Sequence, residues 1–175
     1  VAVRRQRQMC IRDSFKDTSP DITEENLQSR IRGTILMAIS NKKGKMLITT
    51  GNKSEVSVGY STLYGDMNGG FNPIKDIYKT ELFSLAKWRN KNLPKNVYLK
   101  KLDIIPESII EKEPTAELRD NQKDTDSLPS YDELDQILEG LVEYELSTNE
   151  LEKTGFSREE IKKVEHLLYI SAVSY

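Results

Sequence analysis

Five side chains stand where chemistry with an anionic ligand becomes possible: Asn26, Arg30, Thr50, Glu55 and Lys79. Lys79 opens an amphipathic segment, Lys79 to Lys91, expected to be helical from near Asp76. A cation in a first helical turn opposes the dipole, so this placement suggests an anionic partner. Thr50 and Glu55 follow the apolar run Met46-Leu47-Ile48, which reads as a short buried strand breaking at Thr49-Thr50-Gly51-Asn52. In open α/β sheets the carboxyl end of a strand is where ligands sit. Asn26 and Arg30, four residues apart, share one face of an earlier helix. Each has a plainer reading: a solvated amide, a surface guanidinium, a hydroxyl bonded to its own backbone, a salt-bridge glutamate.

The elements that must position these groups follow from the pattern around them. A helix is expected from Thr23 as N-cap, with Glu24 and Glu25 at its positive end and Leu27, Ile31, Ile35 and Ala38 as its core stripe. Asn41-Lys42-Lys43-Gly44 turns it into the strand, its lysines solvated. A hydroxyl- and glycine-rich loop, Tyr60 to Gly70, follows; Gly65, Gly69 and Gly70 permit close backbone approach. The next helix should turn Leu82, Leu85, Ala86 and Trp88 inward, and Val97 to Leu102 reads as a short strand. After the polar stretch Arg119 to Pro129, three Ser-x-x-Glu boxes begin helices at Ser130, Ser147 and Ser157. Leu134, Ile137, Leu138, Leu141 and Val142 face inward from the first, and Ile161, Val164 and Leu168 from the last.

Composition excludes several classes. A net charge of -2 leaves no electrostatic footprint for nucleic acid. The last two capped segments invite a helix-turn-helix reading, but their glutamate-rich approach opposes phosphate contact. No apolar run approaches the roughly 20 residues of a membrane span, so no membrane partner is expected. The one histidine, His166, argues against a histidine metal site and a Ser-His-Asp triad. The one cysteine, Cys10, fits a reducing cytoplasm.

Three stretches, TTGNKSE, YSTLYGDMNGGF and IKDIYKTELFSLAKWRN, resemble the NAD synthetases, in the branch that takes ammonia from glutamine. The likeness runs from about Glu24 to Leu168 and includes ENLQSRIRG and EKEPTAEL. It implies an α/β fold: the C-terminal half of a Rossmann-like ATP-pyrophosphatase domain (adenine nucleotide alpha hydrolase-like), with a parallel sheet and a helical tail. It implies a carbon-nitrogen ligase that adenylates deamido-NAD with ATP and amidates it, giving NAD, AMP and pyrophosphate. Its co-substrate would be ATP with Mg²⁺, and its parent a cytoplasmic homodimer. By resemblance Thr50, Lys79 and Thr115 meet ATP, while Asn26, Arg30, Glu55, Tyr60 and Ser61 meet deamido-NAD. Glu55 doubles as a magnesium ligand, and no residue need act as a nucleophile. Tyr60 could stack on a nicotinate or adenine ring or be a buried aromatic, and Thr115 could merely cap a turn. Leu63 stands where the ammonia-dependent branch carries a lysine, so that contact is not carried over.

The family's phosphate loop, Ser-Gly-Gly-x-Asp-Ser, occurs nowhere in the 175 residues, so the chain alone is expected to be inactive and to bind nucleotide weakly, if at all. Residues 1–14 and 172–175 depart from the family and resemble translated adaptor sequence; they are expected to be non-native ends around a partial domain, 15–171. Two other readings stand beside the synthetase: a sibling ATP pyrophosphatase amidating another acid or a purine, and a non-catalytic helical interaction module.

Overall fold

A computed structural model describes residues 14–19, 21–119 and 121–173. Most of the N-terminal segment, Cys10 included, and the last two residues lie outside this range. In order come α1 (Ile22–Lys43), α2 (Lys53–Ser57), α3 (Lys79–Lys91), α4 (Glu107–Glu111), a 3-10 turn (Asp124–Asp126), α5 (Tyr131–Val142), α6 (Thr148–Glu152) and α7 (Arg158–Val173).

The core forms where local signals and apolar period agree. Leu134, Ile137 and Leu138 of α5, Leu151 of α6, and Ile161 and Val164 of α7 are almost completely enclosed, with Val58, Tyr78 and Leu128 beside them. Ser147 and Glu150 cap α6 reciprocally. Ser157 and Glu160 do the same for α7, at 2.9 and 3.2 Å. Ser130 caps α5 by accepting from the Glu133 N–H. Val142, expected inward, is exposed at the end of α5. His166 is exposed on α7.

α1 is long but lies away from that core. Asp21, not Thr23, is its N-cap, accepting from the Thr23 N–H at 2.7 Å while Glu24 accepts from the Asp21 N–H at 2.8 Å. Its left-handed C-cap is Gly44. The expected stripe is not the buried face: Ile35 and Ala38 are exposed, Leu27 and Ile31 half-buried, and the enclosed residues are Ser29 and Gly33. The reason is what packs there. α1 meets the backbone of the Tyr60–Gly70 loop, and a Cβ on Gly33 would stand 2.6 Å from the Gly65 carbonyl oxygen. Only small residues permit that approach.

No strand is present among the described residues. The expected sheet is reduced to one parallel bridge, Ile48 to Phe71, with backbone bonds from Gly70 N to Leu47 O (2.9 Å) and Thr49 N to Phe71 O (3.0 Å). Parallel sheets are built with both faces covered and neighbours on each side. Here Met46 is 70% exposed and Ile48 53%, and the described residues supply no further strand. Val97 to Leu102 is likewise irregular, with Tyr98 in solvent. Arg89 holds that segment by its carbonyls, donating to Leu99 O at 2.7 Å and Lys101 O at 3.1 Å. α3 begins at Lys79, three residues later than expected, and presents Leu82, Phe83 and Ala86 to its neighbours. Leu85 and Trp88 of α3 are exposed, against expectation.

Candidate functional site

A cleft of about 590 Å³ opens between α1, the strand-like run at Thr49-Thr50, the Tyr60–Gly70 loop and the segment from Thr115 to Asp124. Seven of the eight residues singled out in the sequence line it: Asn26, Thr50, Glu55, Tyr60, Ser61, Lys79 and Thr115. Arg30 does not. It is exposed and donates from Nε to the Leu63 carbonyl at 3.1 Å; Arg32 lines the cleft instead.

Local sequence explains how the central pair is held. Asn52 caps α2, accepting from the Glu55 N–H at 3.0 Å, which fixes Glu55 at the third helical position. Lys79 is the first residue of α3, and its Nζ lies 2.7 Å from Glu55 Oε1. Both side chains are about four-fifths enclosed, at 20% and 18% exposure. The Lys79 ammonium also sits 5.2 Å from the centre of the Tyr131 ring. The Lys79 cation and the Glu55 carboxylate thus face the same cleft, which Arg32, Glu25, Asp66 and Asp124 also line.

Around them the polar groups are tied to one another. The Thr62 hydroxyl donates to Asn26 Oδ1 at 2.9 Å, binding α1 to the loop. Asp66 accepts from the Thr62 N–H at 2.6 Å and from the Ser29 hydroxyl at 3.1 Å. The Ser61 hydroxyl lies 3.2 Å from Met67 Sδ. Thr115 Oγ1 accepts from the Glu117 N–H at 3.2 Å.

Asp124, Tyr131 and Thr62 are site residues that sequence reasoning missed. Asp124 is buried at the cleft wall and accepts from the Tyr131 hydroxyl at 2.8 Å through Oδ2. Its Oδ1 has no hydrogen-bond partner among the described residues. Burial pushes the Tyr60 and Tyr131 phenols well above the ordinary tyrosine range. The Asp124 charge adds to this for Tyr60, and the Glu55 charge for Tyr131. Both phenols remain neutral donors. An isolated Asp in the polar stretch after Thr115 carries no sequence signal of such burial.

A second, more apolar pocket of about 340 Å³ shares Thr50, Lys79 and Thr115 with the cleft and is otherwise walled by residues such as Leu82, Phe83, Ile105 and Ile110. Lys79 stands at the partition between the two. Chemically, the arrangement offers an ammonium for an anion, a hard carboxylate oxygen, several hydroxyls and an amide.

A family model described as NAD synthase matches residues 5–173. The chain belongs to the NAD synthase family. It is similar to the glutamine-dependent NAD(+) synthetase of Rhodobacter capsulatus, 59% identical over 154 residues, and to that of Thermotoga maritima, 49% identical over 154 residues. Each alignment covers 88% of this chain but only 28% and 26% of the relative. The chain therefore spans little more than a quarter of the curated relatives it matches. Among solved structures, the glutamine-dependent NAD+ synthetase of Acinetobacter baumannii in complex with ADP aligns with 42% identity and a TM-score of 0.55, covering 95% of this chain and 28% of that one. The glutamine-dependent synthetase from Cytophaga hutchinsonii aligns with 27% identity and a TM-score of 0.67, covering 95% and 27%. The resemblance carried by the three sequence stretches is thus borne out, as is its glutamine-dependent branch.

Proposed function

We propose that the chain supplies the ATP- and dinucleotide-binding cleft of a glutamine-dependent NAD synthase, in which deamido-NAD is adenylated and then amidated. The observation that carries this is the Lys79–Glu55 pair, enclosed in one cleft with Thr50, Thr115, Asn26, Tyr60 and Ser61. Amide formation from a carboxylate is uphill in water because carboxylate oxygen leaves poorly. The nicotinate carboxylate oxygen attacks the α-phosphorus of ATP, pyrophosphate leaves, and a mixed anhydride with AMP results. Ammonia attacks its carbonyl carbon and loses a proton; AMP departs with the bonding electrons.

No side chain need bond covalently to substrate. The protein's tasks are to neutralise polyphosphate, to exclude water and to align the reactants. Lys79 serves the first, with Thr50 and Thr115 orienting ATP. Asn26, Glu55, Tyr60 and Ser61 hold deamido-NAD, the neutral Tyr60 phenol as donor or stacking face. Arg30, proposed for the same substrate, lies outside the cleft lining and acts from there by holding the Leu63 carbonyl of the loop. Glu55 would hold magnesium, since its carboxylate offers hard oxygen donors at the cleft. One carboxylate completed by phosphate oxygens and waters is how Mg²⁺ is usually held. When bound, that ion supplies charge neutralisation of the polyphosphate.

The test joins this chain, in one polypeptide, to the N-terminal portion of the Rhodobacter capsulatus relative and titrates deamido-NAD into it. Binding that is lost on Glu55→Gln supports the reading. Binding that survives both Glu55→Gln and Arg30→Ala overturns it. The 175-residue chain alone, which has no Ser-Gly-Gly-x-Asp-Ser loop, is expected to form no NAD from ATP, ammonia and deamido-NAD.

A further inference from the structure

Asp135 is a carboxylate set in the apolar face of α5, buried between Leu134 and Ile137. A buried carboxyl without hydrogen bonds would be costly. Its partners are all at one junction. Oδ2 accepts from the Thr80 N–H and from the Thr80 hydroxyl, both at 2.8 Å. Oδ1 accepts from the hydroxyl of Ser54, itself fully buried. Ser54 Oγ in turn accepts from the Lys79 N–H at 2.9 Å.

These are the first two N–H groups of α3, which have no intrahelical acceptor. The residue before the helix, Tyr78, supplies no side-chain cap. The cap comes instead from two other helices, α2 and α5. Sequence adjacency gives this its consequence. Ser54 immediately precedes Glu55, and Thr80 immediately follows Lys79. The junction therefore holds the backbone on both sides of the Lys79–Glu55 pair, while Asp135 itself lines neither the cleft nor the apolar pocket beside it.

We propose that Asp135 is a positioning residue for Lys79: through Ser54 and Thr80 it locks the start of α3 against α2, so that the ammonium is presented to the cleft beside Glu55. The inference rests on the reading of Lys79 as the polyphosphate contact. A carboxylate at a helix N-terminus also complements the dipole that Lys79 opposes, which lets a lysine occupy that position.

The experiment follows the Lys79 ammonium by heteronuclear NMR in the 175-residue chain, its signal assigned by loss in Lys79→Arg. In the wild type this ammonium is expected to exchange slowly with water because it is paired with Glu55. Asp135→Asn and Ser54→Ala, each checked for fold by circular dichroism, are expected to speed that exchange to the rate seen in Glu55→Gln. In the polypeptide joined to the Rhodobacter capsulatus N-terminal portion they are also expected to weaken Mg·ATP binding about tenfold, the scale of a hydrogen bond to a charged group. Ile161→Val, which loosens the core outside the junction, should leave the Lys79 signal unchanged. Slow exchange retained in folded Asp135→Asn and Ser54→Ala overturns the proposal, as does equal loss in Ile161→Val. If Asp135→Asn fails to fold, Ser54→Ala decides. A Lys79 signal indifferent to Mg·ATP in the polypeptide joined to the Rhodobacter capsulatus N-terminal portion would sink the functional reading alone, since the variant comparison needs no nucleotide.

Discussion

At the residue scale the account turns on groups whose charge state or partner is set by enclosure. Lys79 offers the cleft a charge-assisted contact, so Lys79→Ala should weaken Mg·ATP binding by about tenfold or more, given roughly 1.5–3 kcal/mol for hydrogen bonds to charged groups. Calorimetry on the joined polypeptide with and without this substitution checks it; equal affinities would refute it. The tyrosines give a second test. Tyr60, Tyr78 and Tyr131 are pushed above the ordinary value of 10.0 by burial first and by nearby carboxylates second. A raised folded value means stability that is complete below pH 10 and falls as pH rises beyond it, because only the unfolded phenol ionises there. Absorbance at 295 nm should show these three ionising only as the circular dichroism signal collapses; their ionisation while that signal persists would refute it. Legibility at this scale was uneven. Seven named residues share one cleft because the motifs that carry them are local in sequence. Asp135, Ser54 and Asp124 were missed because their roles come from partners 81, 25 and 7 residues away.

At the scale of elements, the sequence was readable where a helix caps itself and packs side chain on side chain. α5, α6 and α7 meet both conditions. Truncating Ile137, fully enclosed in α5, to alanine should cost about 2–5 kcal/mol, read as a lowered denaturant midpoint. α1 met only the first condition. Its buried line is Ser29 and Gly33 because a loop backbone, not a side-chain layer, covers it, and no apolar period announces such a contact. Gly33→Ala separates the two influences. Intrinsic propensity favours alanine in a helix by about 1 kcal/mol. The clash with the Gly65 carbonyl should reverse that sign, lowering the melting temperature and loosening the Thr62–Asn26 bond at the cleft. A stabilised variant would show that α1 does not need that approach. The start of α3 was misplaced for a related reason, since its cap is tertiary.

At the scale of the whole molecule, the fold family was legible only through the motif resemblance, because the sheet that defines it is represented among the described residues by one bridge. The apolar residues that such a sheet would carry are outward: Met46, Ile48 and Phe71, with Ile35, Leu36 and Ile39 of α1 also exposed. Surface of this kind favours association. The chain is therefore expected to be dimeric or larger by light scattering at tens of micromolar, and Leu36→Glu with Ile39→Glu to shift it toward monomer. A monomer at every concentration would show that this exposed apolar surface does not drive association. No helix among the described residues is long and apolar enough to cross a membrane. The central claim is that one cleft gathers the adenylated anions, and amide chemical shifts of the labelled chain, joined to the N-terminal portion of the Rhodobacter capsulatus relative, test it most directly. Mg·ATP added to millimolar concentration should move the signals of Thr50, Glu55, Lys79 and Thr115 together, and leave them still in Lys79→Ala. Shifts scattered over α6 and α7, or none at all, would contradict it.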